Sequence, residues 1–257
     1  MITIFMPVSR ADYLDKIFAM LELLECKREQ VNLLVMVDGD STLFIKTRNL
    51  VEMSKFNERL CIQFKSKHKL RYYDLLGRRL RISDIHNESK QYIKDCDYIF
   101  GLEDDTIFQT NVLTKLLKDY AYYPHAGFIE GVQVARHGIP HVGAWKIDDI
   151  YYPTIVESLP PGVGIDEIDS GGFYCYLTKK ENYMNHEYKP FGSPMNVLGP
   201  DVNYGLELRR LGLLNYIDWE IPTTHKTKNK EITLANSDIR IAVFKKKDLK
   251  WSQSNHA

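Results

Sequence analysis

Three consecutive carboxylates, Glu103, Asp104 and Asp105, stand directly after the apolar run Tyr98-Ile99-Phe100-Gly101-Leu102, and Ile107-Phe108 follows almost at once. Like charges side by side repel and are costly to desolvate, so such a cluster at the end of a buried strand calls for a counter-charge. Mg²⁺ or Mn²⁺ meets that need, because both take carboxylate oxygens and keep positions open for phosphate. The plain alternative is a solvated strand-to-loop junction. Four further groups could carry chemistry: Asp38 in Asp38-Gly39-Asp40, Gly171 and Gly172, through their backbone, in Asp169-Ser170-Gly171-Gly172-Phe173, Asp201 in Gly199-Pro200-Asp201, and His225 in Thr223-Thr224-His225-Lys226. Each also has a bland reading, in order a turn, a strand-entry turn, a helix cap and a surface histidine.

The elements that hold these groups follow from the apolar pattern. Ile2-Thr3-Ile4-Phe5-Met6 reads as a buried first strand stopped by Pro7. Leu14, Ile17, Phe18, Leu21 and Leu24 recur at helical spacing, with Asp12 near the start of that helix. Leu33-Leu34-Val35-Met36-Val37 is a second continuous run, so the opening segment is a βαβ unit and implies a parallel sheet. A helix over 42–58, a third strand at Cys61-Ile62-Gln63-Phe64 and a helix-compatible segment 74–95 lead to the strand 98–102. The acidic triplet therefore ends a fourth parallel strand. Ligands of open α/β sheets bind beyond the carboxyl ends of the strands, where Pro7-Val8-Ser9-Arg10 and Asp38 also emerge.

Beyond residue 125 glycine and proline become frequent, the apolar runs shorten, and a mixed sheet shaped for a second substrate is expected. Residues Asp201–Leu211 read as a helix between Pro200 and Gly212. The chain of 257 residues is long enough for one substantial α/β domain, here 1–225, with 1–108 and 109–225 as its two halves and a Lys-rich extension over 226–257. Lys plus Arg and Asp plus Glu both total 34, so no global field recruits nucleic acid or membrane. The charge is local instead: Lys65, Lys67, Lys69, Arg71, Arg78, Arg79 and Arg81 form one basic run. Four widely spaced cysteines without a C-x-x-C pair read as free thiols, and no apolar run approaches a membrane span. A soluble, cytoplasmic protein is the expectation, in a bacterial host if the chain is of phage origin.

A parallel-sheet first half, an Asp after the second strand and an acidic triplet after the fourth together resemble a GT-A-type glycosyltransferase, with E-D-D in place of the D-x-D metal motif. The similarity covers most of the chain in layout and a few short motifs in letters. It implies a mostly parallel central sheet flanked by helices, with a smaller mixed or antiparallel C-terminal part. It also implies a nucleotide-diphosphate sugar donor and Mn²⁺ or Mg²⁺. On that likeness Pro7, Ser9, Arg10 and Asp38 border the nucleobase and ribose, where a carboxylate accepts hydrogen bonds from base N–H groups or hydroxyls. Asp105 touches the metal directly, Glu103 assists through water, Asp104 reaches the ribose or the metal, and His225 completes the shell. An imidazole ligand favours Mn²⁺ over the harder Mg²⁺. Asp201, in the stretch Gly199 to Gly212, corresponds to the general base of inverting enzymes. Gly171 and Gly172 let backbone N–H groups approach the donor sugar or the acceptor. Arg78 and Arg81 are candidates for the diphosphate, since guanidinium matches phosphate oxygens. Trp145, Tyr151 and Tyr152 are further candidates for sugar contact.

The resemblance implies an acceptor that is a glycan or another hydroxylated molecule, or a modified base in DNA, as phage glycosyltransferases use. Basic residues interleaved with Tyr72 and Tyr73 suit the DNA reading. Two other functions compete. A sugar-phosphate nucleotidyltransferase shares the sheet and the acidic site but usually has a Gly-rich basic loop after the first strand, which Pro7-Val8-Ser9-Arg10 lacks. A non-catalytic sugar- or nucleic-acid-binding protein on the same fold is the other.

Overall fold

The first strand, β1 (Ile2–Val8), has Ile4, Met6 and Val8 in one apolar core and Phe5 in another, as the two-residue period of a strand between two helical layers requires. The computed structural model describes residues 1–66, 75–135, 139–193, 196–227 and 230–245. Pro7 does not end β1; the strand runs on to Val8, whose carbonyl accepts the Asp38 N–H at 2.8 Å. Helix α1 (Leu14–Leu23) buries Leu14, Ile17, Phe18 and Leu21. Its cap position is Tyr13 and no side chain caps it, so Asp12 plays no part there. All seven residues of β2 (Val31–Val37) are buried. Helix α2 (Ser41–Met53) is capped by Asp40, which accepts the Leu43 N–H at 2.8 Å. It ends short of the expected 58 because Ser54 is extended, its hydroxyl donating to the Val51 carbonyl at 2.7 Å.

Strand β3 (Arg59–Gln63), helix α3 (Leu75–Ser89) and strand β4 (Tyr98–Leu102) complete the first half. These four strands are mutually parallel in the order β3-β2-β1-β4. After β5 (Thr106–Ile107) and α4 (Val112–Tyr122) comes β6 (Ala126–Val132), seven buried residues long and thus no shorter than β1. Three short strands follow, β7 (Trp145–Ile147), β8 (Ile155–Ser158) and β9 (Ile165–Ile168), then β10 (Cys175–Lys179) and α5 (Lys180–Asn185). The chain continues through β11 (Phe191–Ser193), β12 (Asn196–Leu198), α6 (Pro200–Arg210) and the nine-residue β13 (Leu214–Pro222). It closes with β14 (Thr224–Thr227), β15 (Lys230–Ile232) and β16 (Val243–Lys245).

The central sheet has eight strands, β3-β2-β1-β4-β10-β6-β13-β9. Strand β10 enters antiparallel between β4 and β6, and β13 runs parallel to β6. Gly101 in β4 makes room for that insertion, since a Cβ there would lie 2.0 Å from Cε1 of Tyr176. Helices α1, α2 and α4 cover one face, and α3, α5 and α6 the other. Small antiparallel sheets, β15-β14-β5, β16-β8-β7 and β11-β12, are added at the edges. Gly212 ends α6 in the left-handed region at φ +81°, with Leu213 N–H donating to the Leu208 carbonyl at 3.0 Å. The four cysteines are free, and only Cys175 is fully buried. Among the described residues no helix is long and apolar enough to cross a membrane.

Candidate active site

From β1 the chain moves outward through β2 and β3, then returns to place β4 on the other side of β1. The loops that leave β1 and β4 therefore diverge and open a crevice, the usual ligand position in such sheets. The two loops are tied across it. The N–H groups of Ser9 and Arg10 donate to Asp104 Oδ2 at 2.7 and 3.0 Å. Nε of Arg10 reaches Asp104 Oδ1 at 3.2 Å, its Nη2 bonds the same oxygen, and its Nη1 stands 2.9 Å from Asp105 Oδ2. Burial alone would lower the Arg10 pKa, but Asp104 and Asp105 more than reverse this and hold its charge.

His225 is brought to the triplet by a short antiparallel pairing of β14 with β5, in which His225 stands opposite Thr106. Lys226 N–H donates to the Asp105 carbonyl at 2.8 Å and fixes that register. The imidazole is buried, with Nε2 3.2 Å from Asp105 Oδ2 and Nδ1 3.0 Å from the Val134 carbonyl. Burial is the largest influence and works against the imidazolium, but the bond to Asp105, the charges of Asp105 and Glu103 and the Val134 carbonyl together outweigh it, so the His225 pKa is raised. Glu103, Asp105 and His225 each offer one ligand atom, all within 4.8 Å of one another. Two carboxylates and one imidazole at that separation fit a single first-row divalent cation.

Two cavities meet at this cluster. One, of about 400 Å³, is lined by Pro7, Ser9, Arg10, Asp38, Arg78, Arg81 and Asp104, seven of the residues the sequence nominated. Asp38 is not a bare turn residue: Arg81 Nε donates to its Oδ2 at 2.7 Å. Arg78 is exposed at the rim. The other cavity, of about 410 Å³, contains Gly172, Asp201 and His225, with Trp145, Phe173 and Tyr174 among its walls. Glu103 and Phe173 line both.

Asp201 lies in the first turn of α6, but the cap position is Gly199 and no side chain caps the helix. Its Oδ1 is enclosed and accepts no hydrogen bond among the described residues. Burial pushes the Asp201 pKa up, while the Arg79 guanidinium pulls against the rise. Gly171 lines neither of these two cavities; it packs over Glu130, whose Oε2 would lie 1.9 Å from a Cβ at that position. Tyr151 and Tyr152 are exposed and line neither. Of the basic run, Lys67, Lys69 and Arg71, with Tyr72 and Tyr73, lie outside the described residues, as do 228–229 and 246–257 of the Lys-rich segment.

One residue joins the site that motif reading passed over, and Arg79 of the basic run joins it apart from its two neighbours. Glu130 is fully buried in β6, accepts the Gly172 N–H at 2.8 Å, and has its pKa pushed well above the carboxylate range by burial. Its signal was present, as a lone carboxylate inside the run Ala126–Val132. Arg79 lines the Asp201 cavity, whereas Arg78 and Arg81 line the other.

No protein-family model matches the sequence, and no curated protein matches it. Solved structures do. The mannosyltransferase PcManGT from Pyrobaculum calidifontis, in complex with GDP-Man and Mn²⁺, superposes with a TM-score of 0.54 at 8% identity, over 84% of this chain and 54% of that one. Residues 1–349 of S. aureus TarS give 0.50 at 10% identity, over 85% of this chain and 60% of that one. A197 from STIV aligns over 93% of this chain and 92% of its own at 11% identity, with a TM-score of 0.43. The chain thus spans 54% of the mannosyltransferase and 60% of the TarS fragment. What it shares with these two is the fold: a large, mostly parallel sheet flanked by helices with small antiparallel sheets, of GT-A type.

Proposed function

We propose that this chain is a metal-dependent glycosyltransferase that moves a sugar from a nucleotide-diphosphate donor to an acceptor hydroxyl, with inversion at the anomeric carbon. The observation that carries this reading is the Glu103, Asp105 and His225 cluster at the junction of two cavities. One cavity carries Arg10, Arg78, Arg81 and Asp38, and the other holds Asp201 between aromatic walls. Guanidinium groups match phosphate oxygens, and Asp38 suits base or ribose donors. Aromatic faces such as Trp145 and Phe173 suit the C–H surfaces of a sugar.

The Asp201 carboxylate takes the proton of the acceptor hydroxyl as that oxygen bonds to the anomeric carbon. The bond from that carbon to the diphosphate oxygen breaks on the opposite side, and the nucleoside diphosphate leaves. A carboxylate whose pKa is raised by burial accepts that proton more readily than an exposed one. Arg10, Arg78 and Arg81 hold the diphosphate, and Glu130 fixes the Gly172 N–H beside the reacting sugar. When held by Glu103, Asp105 and His225, Mn²⁺ or Mg²⁺ supplies neutralisation of the leaving diphosphate. A hydroxylated acceptor, glycan or other, fits the aromatic cavity. The likeness to PcManGT supports this reading through its fold and its bound GDP-Man and Mn²⁺.

The test is thermal unfolding with GDP or UDP, with and without Mn²⁺. The nucleotide raises the melting temperature only when the metal is present, and Asp105→Asn removes the shift while the circular dichroism stays native. A shift that survives both chelation and D105N overturns the metal assignment. Release of pyrophosphate, rather than nucleoside diphosphate, from a nucleotide sugar would mark a nucleotidyltransferase instead.

A further inference from the structure

The acidic triplet already has a cation seated on it. Arg10 bridges Asp104 and Asp105 through Nε, Nη1 and Nη2, while its own backbone N–H binds Asp104. The oxygen it takes on Asp105, Oδ2, is the one His225 Nε2 approaches at 3.2 Å. Asp105 is fully buried, whereas a third of the Arg10 side chain is exposed, and Arg10 lines the cavity that also holds Arg78 and Arg81. All three guanidinium nitrogens are thus held by the two carboxylates, at the wall of the space for a diphosphate.

We propose that Arg10 is a resident counter-ion that makes binding of the divalent cation conditional on the diphosphate. This rests on the reading of the site as one for a metal and a nucleotide diphosphate. A dication at the Glu103, Asp105 and His225 ligand atoms meets the Arg10 charge close by and competes with it for Asp105 Oδ2, so the ion alone binds weakly. A diphosphate offers the planar guanidinium of Arg10 a second bidentate partner, which Arg takes as readily as a carboxylate. As the guanidinium turns to the phosphate oxygens, Asp105 is released to the metal. Metal and nucleotide then raise each other's affinity by the same factor, as linkage requires, and Arg10 carries part of that factor.

The experiment titrates Mn²⁺ into the full chain and follows free Mn²⁺ by electron paramagnetic resonance, alone and with saturating GDP or UDP. The wild type binds Mn²⁺ weakly alone and more tightly with nucleotide. Arg10→Gln binds Mn²⁺ alone about tenfold more tightly and loses about tenfold of the nucleotide-induced gain. Arg10→Lys keeps the charge but cannot bridge two carboxylates. It moves the same two quantities in the same directions, by about threefold, and reads the inference should R10Q not fold. If both variants bind Mn²⁺ alone no more tightly than the wild type, and the nucleotide-induced gain is unchanged, Arg10 merely fastens the loop after β1 and the inference is overturned. If the wild type binds neither Mn²⁺ nor nucleotide, the reading of the site itself fails, and this inference with it.

Discussion

The two cavities that meet at Glu103 and Phe173 handle buried charge in opposite ways. In the first, each acid that lines the wall alongside an arginine is matched by it: Asp38 by Arg81, and Asp104 by Arg10. In the second, the Asp201 carboxyl on the wall and the Glu130 carboxyl behind Gly172 are buried, and burial raises the pKa of both, with the Arg79 guanidinium only opposing the rise at Asp201. Ion pairs that are partly exposed can be exchanged for a new ion at little cost, whereas a desolvated carboxylate is relieved by taking up a proton. The first arrangement suits a polyanion that arrives with its own counter-cation. The second suits an uncharged molecule that gives up one proton.

The contrast is broken most severely at Asp201. Asp201→Asn keeps the shape and removes the base, so sugar transfer falls by about 10² to 10⁴. The nucleotide-induced rise in melting temperature with Mn²⁺ persists, because it belongs to the first cavity. Loss of that rise in D201N would show that the two regions do not act separately.

The division was only half legible in the sequence. The first cavity is built from the ends of continuous apolar runs, and a run that stops at Asp38 or Glu103 announces both a strand and what lies at its mouth. The βαβ connection also announces that the strands run parallel, whereas the placing of β4 beside β1 is visible only in the structure. The second cavity depends on pairings that no local pattern carries. Strand β10 is inserted between β4 and β6, and only this brings Gly172 onto Glu130, 42 residues away. His225 reaches Asp105 through two paired residues of β5 and β14. On α3 the helical period puts Arg78 and Arg81 on one side and turns Arg79 away. Which side faces which cavity is decided by how the helix docks, and the sequence of the helix does not record that.

A smaller effect tests the aromatic layer beneath both cavities. Phe173 lines both and lies 4.2 Å, ring centre to ring centre, from His86, which packs in turn on Tyr188. Tyr188 also contacts His186. Burial pushes both histidines down to about 3, with Lys90 adding to the effect on each. In the unfolded chain they titrate near 6.5, so between these values the unfolded state binds more protons. The contribution of these two histidines is therefore full above about pH 6.5 and is lost as the pH falls through the window toward 3, with a slope of up to about 1.4 kcal/mol per pH unit for each. Urea unfolding of the wild type and His186→Gln between pH 7 and pH 5 measures it, because the raised carboxyl groups and His225 act equally in both, and the variant's slope is lower by up to about 1.4 kcal/mol per pH unit. An unchanged slope in H186Q would remove His186 from the acid-sensitive layer.

The smallest change sharpens the contrast without touching a charge. Gly199 has φ −66° and ψ 162°, a backbone any residue adopts, so alanine there carries no conformational penalty. What the added Cβ meets is Asp201 Oδ1 at 1.8 Å and Arg79 Nη1 at 2.9 Å. Both are the far ends of side chains and can move, so Gly199→Ala shifts the melting temperature by no more than about 2 °C. The cost falls on placement instead. Asp201 is turned from the position in which its carboxylate meets the acceptor hydroxyl, and kcat drops about tenfold, since misplacement of a catalytic group by a fraction of an ångström is felt at that level. The KM for the nucleotide sugar and the Mn²⁺-dependent shift stay as in the wild type, because the residues of the first cavity are untouched. A rise in donor KM with kcat preserved would reverse the assignment, making the Asp201 cavity the one that binds the donor.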